Sequence, residues 1–181
     1  MSSPPTTRHM LSILVEDRYG ELARIVGLFS GRGYNIDSLA VNQSIEPGMS
    51  RVVLTTRGDA QVVEQILKQV NKLVRVHKVR HLVGEGHLER ELCVATVRAS
   101  NARAREELER LLKLTGARVL AFSATSFTVE ATGTSADIEQ FIELLRPLGV
   151  RDLVRSAPIA LSRAGAEGGE AHPSEPASAA E

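Results

Sequence analysis

The chain has 181 residues, enough for one ordinary domain or two small ones. Hydrophobic residues make up 43% but aromatics only 3%, with no tryptophan, so any core must be aliphatic. Lysine plus arginine equals aspartate plus glutamate at 22 each, a balance that argues against a nucleic-acid binder, which carries a basic face.

Residues 1–8 are polar, carry Pro4-Pro5 and are expected to form a flexible N-terminus. They contain no apolar signal core, and no uncharged apolar run approaches the roughly 20 residues of a membrane span. The expectation is a cytoplasmic protein without a membrane partner. Residues 9–15 read as a strand. A short turn, Glu16-Asp17-Arg18-Tyr19-Gly20, leads into a helix from Gly20 to about Arg32, in which Leu22, Ile25, Val26 and Phe29 recur at helical spacing. Gly31-Arg32-Gly33 supplies the stop. A strand over residues 35–45, a turn at Glu46-Pro47-Gly48 and a strand over 49–56 make a hairpin. Asp59 is a helix cap, and Val62, Val63, Ile66, Leu67 and Val70 form the stripe of the second helix. Residues 73–79 close the unit.

The order is β-α-β-β-α-β, the ferredoxin-like pattern, over residues 9–80. Residues 81–88 contain Gly84 and Gly86 and read as a linker. The same order then recurs over 89–163. It runs as a strand at 91–98, a helix at 102–114 ended by Gly116, strands at 118–122 and 127–132, a helix opened by Thr134 and Asp137, and a closing strand at 150–161. The fold class is therefore α+β, two tandem ferredoxin-like units. Each is small enough that docking or oligomerisation would help it fold. Residues 164–181 have no large apolar side chain and read as a disordered tail.

Catalytic motifs are missing. No Walker loop and no glycine-rich dinucleotide turn follows a strand. The histidines His9, His77, His81, His87 and His172 are scattered; His77 and His81, four apart, fall at a strand end and a linker, so no metal site is expected. Glu89 and Glu91 share a strand face beside Arg90, which suits a solvated edge better than an acid–base pair. Cys93, the single cysteine, forms no intrachain disulfide and reads as a buried small hydrophobe.

The turn before the first helix is the strongest binding candidate. Gly20 lacks a Cβ, so a ligand can approach the backbone closely. The first helical N–H groups, near Gly20, Glu21 and Leu22, have no intrahelical partner and sit at the positive end of the dipole. They suit a carboxylate, and Asp17 beside them would accept from an ammonium. Two readings stay open: a zwitterion site, or a glycine that only makes the turn. Likewise the Asn35 amide either caps the local backbone or meets a ligand.

Four runs bear on family: Leu14-Val15-Glu16-Asp17, Gly20-Glu21-Leu22-Ala23-Arg24, Gly27-Leu28-Phe29-Ser30 and Arg32-Gly33-Tyr34-Asn35-Ile36-Asp37-Ser38-Leu39. Together they resemble the ACT domain, and more closely the regulatory small subunit of acetohydroxyacid synthase (acetolactate synthase). In the second half Glu89-Arg90-Glu91-Leu92, Glu130-Ala131-Thr132-Gly133 and the closing Arg155-Ser156 with Leu161-Ser162-Arg163 extend the likeness. Two positions depart from the family pattern. Asp17 stands where many relatives carry asparagine. Ala157-Pro158 replaces a glycine and an aliphatic, and the proline removes a backbone donor near the last strand.

The resemblance implies a non-catalytic regulatory subunit. Its partner would be a catalytic large subunit that carries thiamine diphosphate (ThDP), Mg and FAD, while this chain binds no cofactor. It would activate that subunit and confer feedback inhibition by valine in branched-chain amino acid biosynthesis. The first unit would be an ACT domain that forms a homodimer. Asp17, Gly20, Glu21 and Leu22 of one protomer and Asn35 and Ile36 of the other would bind the effector. The alternative is an amino-acid-responsive tandem-ACT regulator of another enzyme or of transcription, although no helix-turn-helix flanks the units.

Overall fold

The computed structural model describes residues 7–163. The tail expected over 164–181 and most of the N-terminal segment expected to be flexible lie outside the described residues. Thr7 and Arg8 already belong to the first strand. The described residues divide into two compact units, one of residues 7–88 with 160–163, the other of Glu89–Ile159.

In the first unit the elements are β1 (Thr7–Glu16), α1 (Glu21–Ser30), β2 (Ser38–Gln43), β3 (Met49–Gly58), α2 (Ala60–Val70) and β4 (Val76–Leu82). The sheet order is β2-β3-β1-β4, with every neighbouring pair antiparallel. Because strand side chains alternate, β1 sends Leu11, Ile13 and Val15 to one face. There they join Ile25 and Phe29 of α1, Ile66 and Val70 of α2, and Val52, Leu54 and Val79 of the sheet. Phe29 and Tyr34 meet edge to face with ring centroids 6.2 Å apart. The α2 cap forms as expected: Asp59 accepts from Val62 N–H at 2.8 Å.

β2 begins at Ser38, three residues later than the apolar pattern suggests. The residues before it are held by side chains and single backbone bonds rather than by a ladder: the Thr56 hydroxyl donates to Asn35 O and Asp37 N–H to Thr55 O.

The second unit repeats the order with β5 (His87–Arg98), α3 (Ala102–Thr115), β6 (Arg118–Phe122), β7 (Ser126–Gly133), α4 (Ser135–Leu145) and β8 (Val150–Arg155), in the sheet order β6-β7-β5-β8. Its core joins Cys93, Ala95 and Val97 to Leu108, Leu112, Val129, Ile138, Phe141 and Leu145. Burial pushes the Cys93 thiol above its ordinary range, in keeping with a packing role. Thr134 and Asp137 form the expected capping box, and the Thr134 hydrogen bonds hold the Asp137 carboxyl below its usual range.

Further features differ from the sequence reading: β4 ends at Leu82 and β5 starts at His87, so both strands run into the segment expected as a linker over 81–88. The solvated edge expected at Glu89 and Glu91 is absent. Glu91 shares the inward face of β5 with Cys93 and is 4% exposed. It accepts from Arg155 Nε and the Ser135 hydroxyl, while Glu89 accepts from Ser135 N–H at 3.2 Å. Arg155 also donates to Glu139 at 2.8 Å. The strand expected over 150–161 is also split. β8 stops at Arg155, residues 156–158 carry no ladder, and a short β9 (Ile159–Ser162) follows. Pro158 sits in the break, so its missing N–H interrupts no pairing. Beyond it, Ala160 is buried in the first unit with Met10, Val53 and Leu82.

Arg155→Met would strand a buried carboxylate, at a cost on the order of 3 kcal/mol. Hydrogen exchange should report reduced protection of the β5 amides at Cys93–Val97. Glu91→Leu added to that variant should recover much of the loss, since the buried carboxylate is then gone. A double variant less protected than Arg155→Met would disprove this account.

His9 and His81, 72 positions apart, are hydrogen-bonded on adjacent strands, Nδ1 to Nε2 at 3.1 Å. Burial, then the charge of His9, hold the His81 imidazole below its ordinary 6.5. As pH falls, the unfolded chain takes this proton before the folded one does. The pair's stability is therefore present above about 6.5 and declines as pH falls through that value toward the lower folded one. The urea midpoint of the full chain should drop between pH 7.5 and 5.5, and His81→Gln should reduce that drop.

Candidate effector site

The β1 ladder ends at Glu16, and the chain must reverse to lay α1 across the sheet. It does so at Gly20, whose φ of +85° lies in the left-handed region that glycine tolerates. No side chain caps the helix there. Glu21 N–H donates to Arg18 O at 3.3 Å, and Arg24 N–H returns to Gly20 O at 3.0 Å. The N–H groups of Leu22 and Ala23 are thus the ones that helix geometry leaves without an intrahelical acceptor. A Cβ built at Gly20 would meet nothing within 4 Å, so the space in front of the turn is open. An open depression of about 700 Å³ lies beside it, lined by Asp17, Arg18, Tyr19 and Arg75.

The Glu21 side chain turns inward, away from the open turn. It is 3% exposed and accepts from Arg24 Nη1 at 2.9 Å and Arg75 Nη1 at 2.8 Å. The carboxylate is committed within the unit, where it ties the start of α1 to the entry of β4. Arg75 is the residue that sequence reasoning missed. It lies 54 positions from Glu21 and outside any periodic pattern. The Asp17 side chain is exposed, and its N–H is fixed by Gly48 O of the β2–β3 turn at 2.8 Å.

Asn35 is exposed and donates through Nδ2 to Asp37 Oδ1 at 2.6 Å. Ile36 packs against the first-unit core. These residues do not meet Gly20 within the chain. β1 and β3 align Glu16 with Met49, whereas β2 and β3 align Ser38 with Thr55. Six residues of β3 separate those rows, about 20 Å at ~3.3 Å per residue. Gly20 lies beyond one row and Asn35 beyond the other, at opposite ends of one sheet.

No group of three or more His, Cys, Asp or Glu among the described residues is placed to hold a metal ion. His77 approaches Glu16 at 3.6 Å, and its sequence neighbour His81 pairs with His9 instead. No helix among the described residues is long and apolar enough to cross a membrane.

Residues 11–78 match the family described as the AHAS small subunit-like ACT domain, and residues 90–164 match the small subunit of acetolactate synthase. A probable acetolactate synthase small subunit of Methanothermobacter thermautotrophicus is 43% identical over 155 residues, covering 86% of this chain and 92% of the relative. The small subunit of acetolactate synthase isozyme 3 of Escherichia coli is 38% identical over 157 residues, covering 86% and 96%. Among solved structures, the acetolactate synthase small subunit of Thermotoga maritima superposes with a TM-score of 0.78 at 33% identity, covering 87% of this chain and 98% of that one. With both units matched in order, and relatives matched over nearly their full length, the chain belongs to the acetolactate synthase small-subunit family, a regulatory family built on the ACT domain.

Proposed function

We propose that the chain acts in the cytoplasm as the regulatory partner of a catalytic acetolactate synthase large subunit, raising its activity and making it sensitive to valine. The thiamine diphosphate, Mg and FAD belong to the large subunit, as expected where cofactors carry the chemistry. The chain itself supplies binding energy and no reacting group. Valine sits between two protomers of a homodimer. Its carboxylate lies at the Leu22 and Ala23 N–H groups in front of Gly20, where the helix dipole favours an anion. Asp17 beside the turn accepts from the ammonium. Asn35 and Ile36 of the second protomer close the site. Glu21 and Arg75 hold the helix start in place.

The observation that carries this reading is the strand register. Gly20 and Asn35 stand at opposite ends of one sheet, so a ligand touching both must be bridged by two copies. A two-fold dimer supplies both halves twice, because its interface is isologous.

Gly20→Asp adds a like charge and a side chain where the carboxylate binds. Losing charge-assisted hydrogen bonds costs about 1.5–3 kcal/mol each, so valine should inhibit about ten- to more than a hundredfold less well. Asn35→Ala should also weaken inhibition. The decisive experiment co-expresses the two variants. In a mixed dimer one site carries both substitutions and the other carries neither, so part of the valine sensitivity returns in the complex with the large subunit. No recovery in purified mixed dimers, with both single variants insensitive and folded by thermal melting, would sink the shared site.

The chain alone should make no acetolactate from pyruvate, and adding it to its large subunit should raise turnover. Turnover by the isolated chain, free of large subunit, would overturn the regulatory reading.

A further inference from the structure

The segment between α1 and β2 holds an arrangement that the effector reading leaves unexplained. Asp37 accepts two side-chain hydrogen bonds, one on each oxygen. Asn35 Nδ2 donates to Oδ1 at 2.6 Å, and Arg57 Nε donates to Oδ2 at 2.9 Å. The backbone on both sides is pinned to β3, since the Thr56 hydroxyl donates to Asn35 O at 2.6 Å and Asp37 N–H donates to Thr55 O at 2.8 Å. With the backbone held, the remaining freedom at Asn35 is the orientation of its amide.

The chemistry of Asp37 decides that orientation. A carboxylate bound to a guanidinium only accepts, so the side of the amide that faces it must be the NH₂ group. The carbonyl Oδ1 is thereby turned the other way, and among the described residues nothing donates to it. Asn35 is exposed, so this oxygen is presented outward as an acceptor. A flipped amide would instead present two donors.

We propose that Asp37 is a positioning residue of the effector site: it locks the Asn35 amide with Oδ1 outward, so that the site takes α-amino acids, through their ammonium, in preference to the matching α-hydroxy acids. The inference rests on the reading that Gly20 of one protomer and Asn35 of the other share the ligand. An ammonium only donates, so it binds one orientation of the amide and is repelled by the other. A hydroxyl donates or accepts, so it tolerates both. Arg57 pairs its charge with Asp37, which weakens the pull of that carboxylate on the ammonium.

The test uses the complex reconstituted with its large subunit, titrated with valine and with 2-hydroxy-3-methylbutanoate. Asp37→Ala frees the amide to turn. It should raise the half-inhibiting valine concentration about tenfold, equivalent to about 1.4 kcal/mol, while changing that of the hydroxy acid less than about threefold. Asp37→Glu keeps an acceptor-only carboxylate within reach of Asn35 Nδ2 and Arg57. It should hold valine inhibition within about threefold of the parent. Equal weakening of both ligands by Asp37→Ala, or a loss in Asp37→Glu as large as in Asp37→Ala, would overturn the positioning role. Asn35→Ala separates the two levels of the argument. If it weakens valine inhibition while Asp37→Ala does not, the positioning role alone falls. If neither Asn35→Ala nor Gly20→Asp alters valine inhibition, the shared site falls and this inference falls with it.

Discussion

The first unit depends on the pairing of β1 with β3 on one side and β4 on the other. The strand is ten residues long and carries Met10 through Val15 buried in sequence, so it has no solvent face over that stretch. Such a strand must lie inside a sheet, and its apolar side chains must be covered on both sides. The antiparallel partners then determine the connections. α1 has to recross the sheet before β2 can pair with β3, which makes β1 and β2 parallel with β3 between them. That topology sends the turn after β1 and the segment before β2 to opposite ends. The separation of Gly20 from Asn35 is thus a consequence of the central strand rather than an independent feature.

The glycine turn and the buried Glu21 are coupled by the same geometry. A helix that begins in a left-handed glycine without a side-chain cap leaves N–H groups uncompensated. A carboxylate at the first helical position is favoured by the dipole, and here it is folded inward onto Arg24 and Arg75. Arg75 supplies a cation from the segment entering β4, so the buried charge has a partner from elsewhere in the sheet. Two effects compete at this helix start. Burial disfavours the carboxylate, while two guanidiniums and the dipole favour it. With the charge satisfied inward, the outward N–H groups of Leu22 and Ala23 stay available, which a capping serine or aspartate at Gly20 would have prevented.

Much of the architecture was legible from periodicity. The order of elements, the Asp59 cap, the Thr134–Asp137 box and the burial of Cys93 all follow from local pattern. What escaped the sequence has a common cause in long-range pairing. Glu91 looked like a surface charge because its neighbours Glu89 and Arg90 are charged. Only the pleat of β5 and the presence of Arg155, 64 positions on, make it interior. Arg75 and the His9–His81 contact are hidden for the same reason. The start of β2 was misplaced because Asn35 and Ile36 continue an extended run. The ladder begins at Ser38, where pairing with Thr55 starts. Of the candidate site, the glycine turn was visible as chemistry. The role proposed for Asn35 rested on resemblance, and the Asn35–Asp37–Arg57 contacts needed the structure, since nothing in the spacing ties residue 57 to residue 37.

In the proposed reading, dividing the ligand between two chains has a thermodynamic consequence. Neither half of the site binds fully alone, so effector affinity depends on how the two sheets are held relative to one another. Anything that biases that geometry changes valine affinity. By linkage, valine then biases the geometry by the same factor. A large subunit that docks better on one arrangement of the dimer than on the other would therefore feel the effector without contacting it. The size of the effect is limited by the difference in valine affinity between the two arrangements, since a ligand that binds both equally shifts nothing. A regulatory chain working this way needs no reactive group. It needs two rigid sheet ends, a helix start with uncommitted N–H groups, and an acceptor held in one orientation.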